Sequence, residues 1–129
     1  MRYLKLFENY NDLKYCLYDA VNHINEVTEH WDVDEVRPLK AYLFGSRISK
    51  TNRENSDLDI LFIYEGSLRS KYLHDPLNED CVECFDIELD IVACNTDEDE
   101  SFIKKFYNDY NVDSLPMYDF YEDIYKNCD

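Results

Sequence analysis

Two glycines and three prolines are few for a chain of 129 residues. No low-complexity linker or internal repeat is visible, so one small domain over residues 1–129 is expected. No stretch approaches the ~18 apolar residues that a membrane-spanning helix requires. The opening Met-Arg-Tyr-Leu-Lys-Leu-Phe-Glu breaks its apolar run with charge at once. That argues against a signal peptide and makes a cytoplasmic protein the expectation. Bases are scarce too: 13 Lys and Arg stand against 29 Asp and Glu, a net charge of -16. Duplex nucleic acid is bound through Lys and Arg on phosphates, so a duplex-binding surface is not expected. The charge suits a partner protein with a basic face, or a small substrate reached through a local basic pocket.

Cysteine is present in odd number: Cys16, Cys81, Cys84, Cys94 and Cys128. With no disulfide-like spacing, free thiols are the expectation. Cys81 and Cys84 form the one C-x-x-C, with His74 upstream. A structural zinc site normally needs four ligands, and there is no second pair.

Apolar residues make up 45% of the chain, and 12 tyrosines and seven phenylalanines are many for its length. They suit one core, with an aromatic protein-contact surface as the alternative use. Leu13, Cys16, Leu17, Ala20, Val21, Ile24 and Val27 recur at three and four, predicting a helix over residues 11–29 with Asn11 or Asp12 as its cap. Leu39–Phe44 reads as a short strand ending at Gly45, Ser46 to about Asn52 as one or two helical turns, and Leu58–Tyr64 as a buried strand ended by Gly66. Residues 66–82 read as a loop with room for a short helix. Between Cys84 and Cys94, Asp86, Glu88 and Asp90 alternate with Ile87, Leu89 and Ile91, the period of a strand with one acidic face. Four acids from Asp97 to Glu100 suit a helix N-terminus, followed by a stripe of Phe102, Ile103, Phe106, Tyr107 and Tyr110. The tyrosine-rich tail after Pro116 fits helix or strand. This order of elements predicts an α/β (α+β) fold, a mixed sheet flanked by helices.

The chemistry concentrates in residues 44–60. Gly45 and Ser46 form a turn where backbone can approach a ligand closely, and a helix starting there would aim free N–H groups at the same point. An ordinary helix-capping turn is the alternative. Asp57 and Asp59 follow at i and i+2, on one face of a strand, where two carboxylates can bind a divalent metal. The pair alone says little: 29 acids in 129 residues give about six acid-x-acid pairs by chance. Asp32 with Asp34, and Asp97 with Asp99, read as such chance pairs on solvated surface. Asp57-Leu58-Asp59 differs because it opens an apolar strand, where charge needs a counter-ion or a cleft. Arg47, Lys50 and Arg53, between the turn and the acids, make the local positive patch that a polyphosphate requires.

Phe44-Gly45-Ser46, ten residues, Asp57-Leu58-Asp59-Ile60, and a later acid before Ile91-Val92 resemble the DNA polymerase β-type nucleotidyltransferase superfamily. Gly-Ser-Arg followed by Ser-Asp-Leu-Asp-Ile resembles its small, single-domain minimal nucleotidyltransferases. The chain departs from their pattern at Ile48 and Ser49, where members often carry a glycine or a second arginine. The resemblance implies that Asp57, Asp59 and Asp90 hold two Mg²⁺ ions, with Asp90 also a base, and that Glu88 and Asp86 are weaker candidates for the third acid. It implies that Gly45 and Ser46, with Arg47, Lys50 and Arg53, bind a nucleoside triphosphate, ATP first. The reaction implied is transfer of a nucleoside monophosphate to an acceptor hydroxyl. Small members often act as antitoxins that adenylylate a partner toxin, commonly a HEPN-domain ribonuclease. Small-molecule acceptors, as in antibiotic-modifying relatives, are the other implied class. Two further readings are an inert binding module on the same fold and an acidic mimic of nucleic acid.

Overall fold

The computed structural model describes residues 10–44, 58–79, 83–84 and 87–128. Helix α1 is Tyr10–Thr28. It already includes Asn11 and Asp12, so neither caps it as the sequence suggests. Its stripe of Cys16, Leu17, Ala20, Val21 and Ile24 is buried, as a helix with one apolar face must be when it lies on a sheet. A turn then leads into strand β1, Arg37–Phe44. Pro38 falls inside this strand, at an irregularity in its register with β2.

Strand β2 is Leu58–Glu65, and every residue from Ile60 to Tyr64 is buried. Helix α2, Lys71–Asn78, follows; strand β3, Glu83–Cys84, leads into β4, Ile87–Asn95; and helix α3 is Glu100–Asp109. A single 3-10 turn precedes strands β5, Met117–Asp119, and β6, Ile124–Lys126.

The strand order is β3-β4-β2-β1-β5-β6. β2 and β4 run parallel, joined by a crossover through α2, and the other neighbours are antiparallel. β3 contributes only a two-residue ladder, so the working sheet is five mixed strands. Alternation along each strand gives the sheet two faces. Leu58, Ile60, Phe62 and Tyr64 share one core with α1, α2 and Ile91. Leu61 and Ile63 share the other with Tyr42, Cys94, Phe106 and Met117.

The cysteines are not all free thiols. Cys16 on α1 and Cys84 on β3 are joined by a disulfide across 68 residues of sequence. Both sit in buried stripes that the packing of α1 on the sheet brings together, which spacing in the sequence cannot reveal. The bond also removes Cys84 from any metal pair with Cys81, itself outside the described residues. Cys94 is a free thiol, and Cys94 and Cys128 are both buried.

The tail resolves as a β-hairpin, because Tyr42, Ala41 and Lys40 of β1 supply the ladder for Met117, Tyr118 and Asp119. Residues 66–82 hold a real helix, α2. Only Glu100 of the four acids falls in the first turn of α3. Asp97, Glu98 and Asp99 lie in the turn before it and do structural work. Asp99 accepts a hydrogen bond from the Asn95 N–H at 2.9 Å, and Glu98 accepts from Arg69 at 2.6 Å and from the Ser70 N–H at 2.9 Å.

Gly66 closes β2 with φ +135, and a Cβ there would lie 2.2 Å from the carbonyl oxygen of Glu35. Glycine alone permits that approach. The Asn95 side chain completes the joint by donating to the carbonyls of Gly66 and Leu68. Among the described residues no helix is long and apolar enough to cross a membrane.

Candidate active site

Across the middle of the sheet runs one row of register partners. Phe44 of β1 is opposite Asp59 of β2, and Asp59 is opposite Asp90 of β4. Register partners point to the same face, so both carboxylates stand on the side that carries α3, one strand spacing of about 4.8 Å apart. Leu58 and Ile60, on either side of Asp59, are fully buried on the opposite face. Asp59 and Asp90 are half-buried, and within β2 only Asp59 and the terminal Glu65 depart from an otherwise buried run.

The apolar alternation fixes this placement. Moving β2 by one residue would bury Asp59 under α1 and turn Ile60 and Phe62 onto the α3 face. Two carboxylates at this spacing repel unless a cation or proton sits between them, and oxygen donors of this kind fit a hard divalent cation. Among the described residues no three His, Cys, Asp or Glu side chains converge. The expected third ligand, Asp57, lies outside the described residues, as do Gly45, Ser46, Arg47, Lys50, Arg53 and Asp86. Glu88 shares the strand face of Asp90 but is exposed, two residues further out.

One positioning element carries no sequence motif. Asn78, the last residue of α2, uses its side-chain amide as a substitute strand against β4. It accepts from the Ile91 N–H and donates to the Ile91 carbonyl, each at 2.9 Å, and donates to the His74 carbonyl at 2.9 Å. Asp90 is therefore held from both sides: by the β2 ladder within the sheet, and by Asn78 one residue along its outer edge.

Around the carboxylates the α3 face is aromatic. Phe44 meets Phe106 edge-on at 5.1 Å between centroids and Tyr110 at 5.6 Å. Burial raises the Tyr42 phenol well above its usual range, and the hydroxyl pair with Tyr107 at 3.5 Å adds to the effect. Burial also pushes the Cys94 thiol up to about 12. Neither group ionises near neutral pH. Two surface hollows of about 370 and 470 Å³ lie at the other end of β2 and β4, around Gly66 and Asp97. The polar groups lining the first are largely spent on Asn95, Arg69 and Glu98.

A mixed sheet flanked by helices, with acids in register on its central parallel strands, defines a protein of the nucleotidyltransferase fold class. From residue 22 to residue 112 the chain matches the family model described as Polymerase beta, Nucleotidyltransferase, and it belongs to that family. The matched span runs from within α1 through α3 and leaves out the β5–β6 hairpin. Comparison with curated proteins and with solved structures gives no match.

Proposed function

We propose that this protein is a Mg²⁺-dependent nucleotidyltransferase that moves a nucleoside monophosphate, AMP from ATP first, onto an acceptor hydroxyl. The observation that carries the reading is the Asp59–Asp90 register pair, set beside the strand end that leads into Gly45-Ser46. Asp59 and Asp90, with Asp57, would hold the metal. Bound there, Mg²⁺ neutralises charge on the phosphates and lowers the pKa of the attacking hydroxyl. Asp90, on the outer strand of the pair, takes the hydroxyl proton. Gly45, Ser46 and Arg47, with Lys50 and Arg53, hold the β- and γ-phosphates so that pyrophosphate leaves in line. The acceptor is a hydroxyl on a basic partner protein, such as a HEPN-domain toxin, supported by the net charge of -16.

The test incubates the protein with α-labelled ATP, Mg²⁺ and two acceptor sets, basic proteins and small hydroxyl compounds, beside calorimetry of ATP binding with and without Mg²⁺. Asp59→Asn and Asp90→Asn should melt like wild type yet lose transfer and Mg²⁺-dependent binding. Activity retained in either variant sinks its assignment. No transfer together with no Mg²⁺-dependent ATP binding in the wild type sinks the enzyme reading.

A further inference from the structure

The aromatic rings beside Asp59 do more than seat a helix. Helix α3 starts near the end of β4 that carries Asn95 and finishes over Phe44, where Tyr110 follows its last turn. Phe44 is at once the residue before Gly45-Ser46 and the register partner of Asp59. Phe106 braces the two rings from within, 5.1 Å from Phe44 and 4.9 Å from Tyr110, and is itself only 4% exposed. Phe44 and Tyr110 are half-buried, so neither residue is sealed from solvent as Phe106 is.

From the ledge of Phe44 and Tyr110 we infer a nucleobase-stacking subsite, a proposal that rests on the nucleotidyltransferase reading above. One strand spacing of about 4.8 Å separates Asp59 from Phe44, and 5.6 Å more separates the Phe44 and Tyr110 centroids. A ribose and base extending from a metal-held α-phosphate cover that reach. A ledge of ring faces and edges grips any base by its π-face and reads little of its hydrogen-bonding edge. The substrate class is therefore nucleoside triphosphates in general, purines ahead of pyrimidines because their stacked area is larger.

The experiment separates base from phosphate. Calorimetry with Mg²⁺ compares ATP, GTP, CTP and UTP with inorganic tripolyphosphate, which carries the phosphates alone. Wild type should bind ATP about tenfold more tightly than tripolyphosphate, the scale of one stacked base, with GTP close to ATP. Tyr110→Leu keeps apolar volume against Phe44 and Phe106 but removes the ring. It should bring ATP to the affinity of tripolyphosphate and leave tripolyphosphate unchanged. Tyr110→Phe should restore the difference. The ledge is overturned if Tyr110→Leu binds ATP as wild type does, if both ligands weaken together, or if wild type favours ATP over GTP a hundredfold. If wild type binds tripolyphosphate but gains nothing from any base, the ledge falls and the phosphate site stands. If it binds neither ligand, the enzyme reading falls and takes the ledge with it.

Discussion

Replacing Asn78 by alanine tests whether a single side chain holds the strand of Asp90. The substitution deletes three hydrogen bonds of 2.9 Å, two of them to the backbone of Ile91. Ile91 is fully buried, and its outward N–H and carbonyl lie on an edge that β3 does not cover. An unsatisfied buried donor or acceptor costs about 1–3 kcal/mol. Asn78 is itself half-buried, so water can reach part of the gap, and the expected net loss is about 2–4 kcal/mol. Urea unfolding followed by the fluorescence of the single tryptophan, Trp31, reads this as a lower midpoint at unchanged slope. Asn78→Asp sharpens the test. It keeps an acceptor for the Ile91 N–H but sets a carboxylate against two carbonyls. Its folded pKa should rise above the ordinary value of about 3.9. Relative to wild type the variant is then most stable below about pH 4, where the protonated group donates, and loses stability as pH rises through the raised value. An Asn78→Ala loss under about 0.5 kcal/mol, the range of ordinary surface substitutions, or a pH-independent Asn78→Asp deficit, refutes the reasoning.

Gly66→Ala should destabilise by more than about 1 kcal/mol, since Ala resists a positive φ and its Cβ would meet the Glu35 carbonyl; an unchanged melting temperature contradicts the joint. Reducing Cys16–Cys84 releases a constraint spanning 68 residues, with an expected loss of up to about 4 kcal/mol. In denaturant, Cys94 should alkylate without reductant, and Cys16 and Cys84 only after it. On the alkaline side, burial holds the Cys94 thiol and the Tyr64 phenol up to about 12, from 9.0 and 10.0. The unfolded chain releases those protons first, so stability is full below about pH 9 and falls toward pH 12. Cys94→Ala and Tyr64→Phe should each flatten that fall in circular-dichroism titrations, and an unaltered profile counts against the assignment.

Periodicity carried much of this architecture. The stripe of α1, the apolar run of β2 and the alternation of Ile87 to Asp90 are long enough to declare their period, and they bring Asp59 and Asp90 onto one face. β5 and β6 have three residues each, too few for a period, and become strands because β1 offers them a ladder. In α3 the same stripe overreaches. Ile103, Phe106 and Tyr110 turn inward, while Phe102 and Tyr107 remain 49% and 41% exposed. Asn78 and Cys16 gain their roles from contacts with Ile91 and Cys84, and no local pattern encodes a contact across the fold. The phosphate half of the motif, Gly45 to Arg53, lies outside the described residues.

The β5–β6 hairpin lies beyond the span matched by the family, and it changes what the sheet offers to other chains. Without it, the eight residues of β1 would form an open side, a template on which a second molecule could pair. With it, the outermost strands are β3, of two residues, and β6, of three. β6 also carries Lys126, and its exit residue Asn127 takes a positive φ that ends the strand. On the β6 side a foreign strand finds at most a rung or two, and on the other side the Asn78 side chain already occupies the Ile91 rung of β4 beyond β3. The short tail thus acts as a selvedge, keeping an apolar sheet from knitting onto its neighbours.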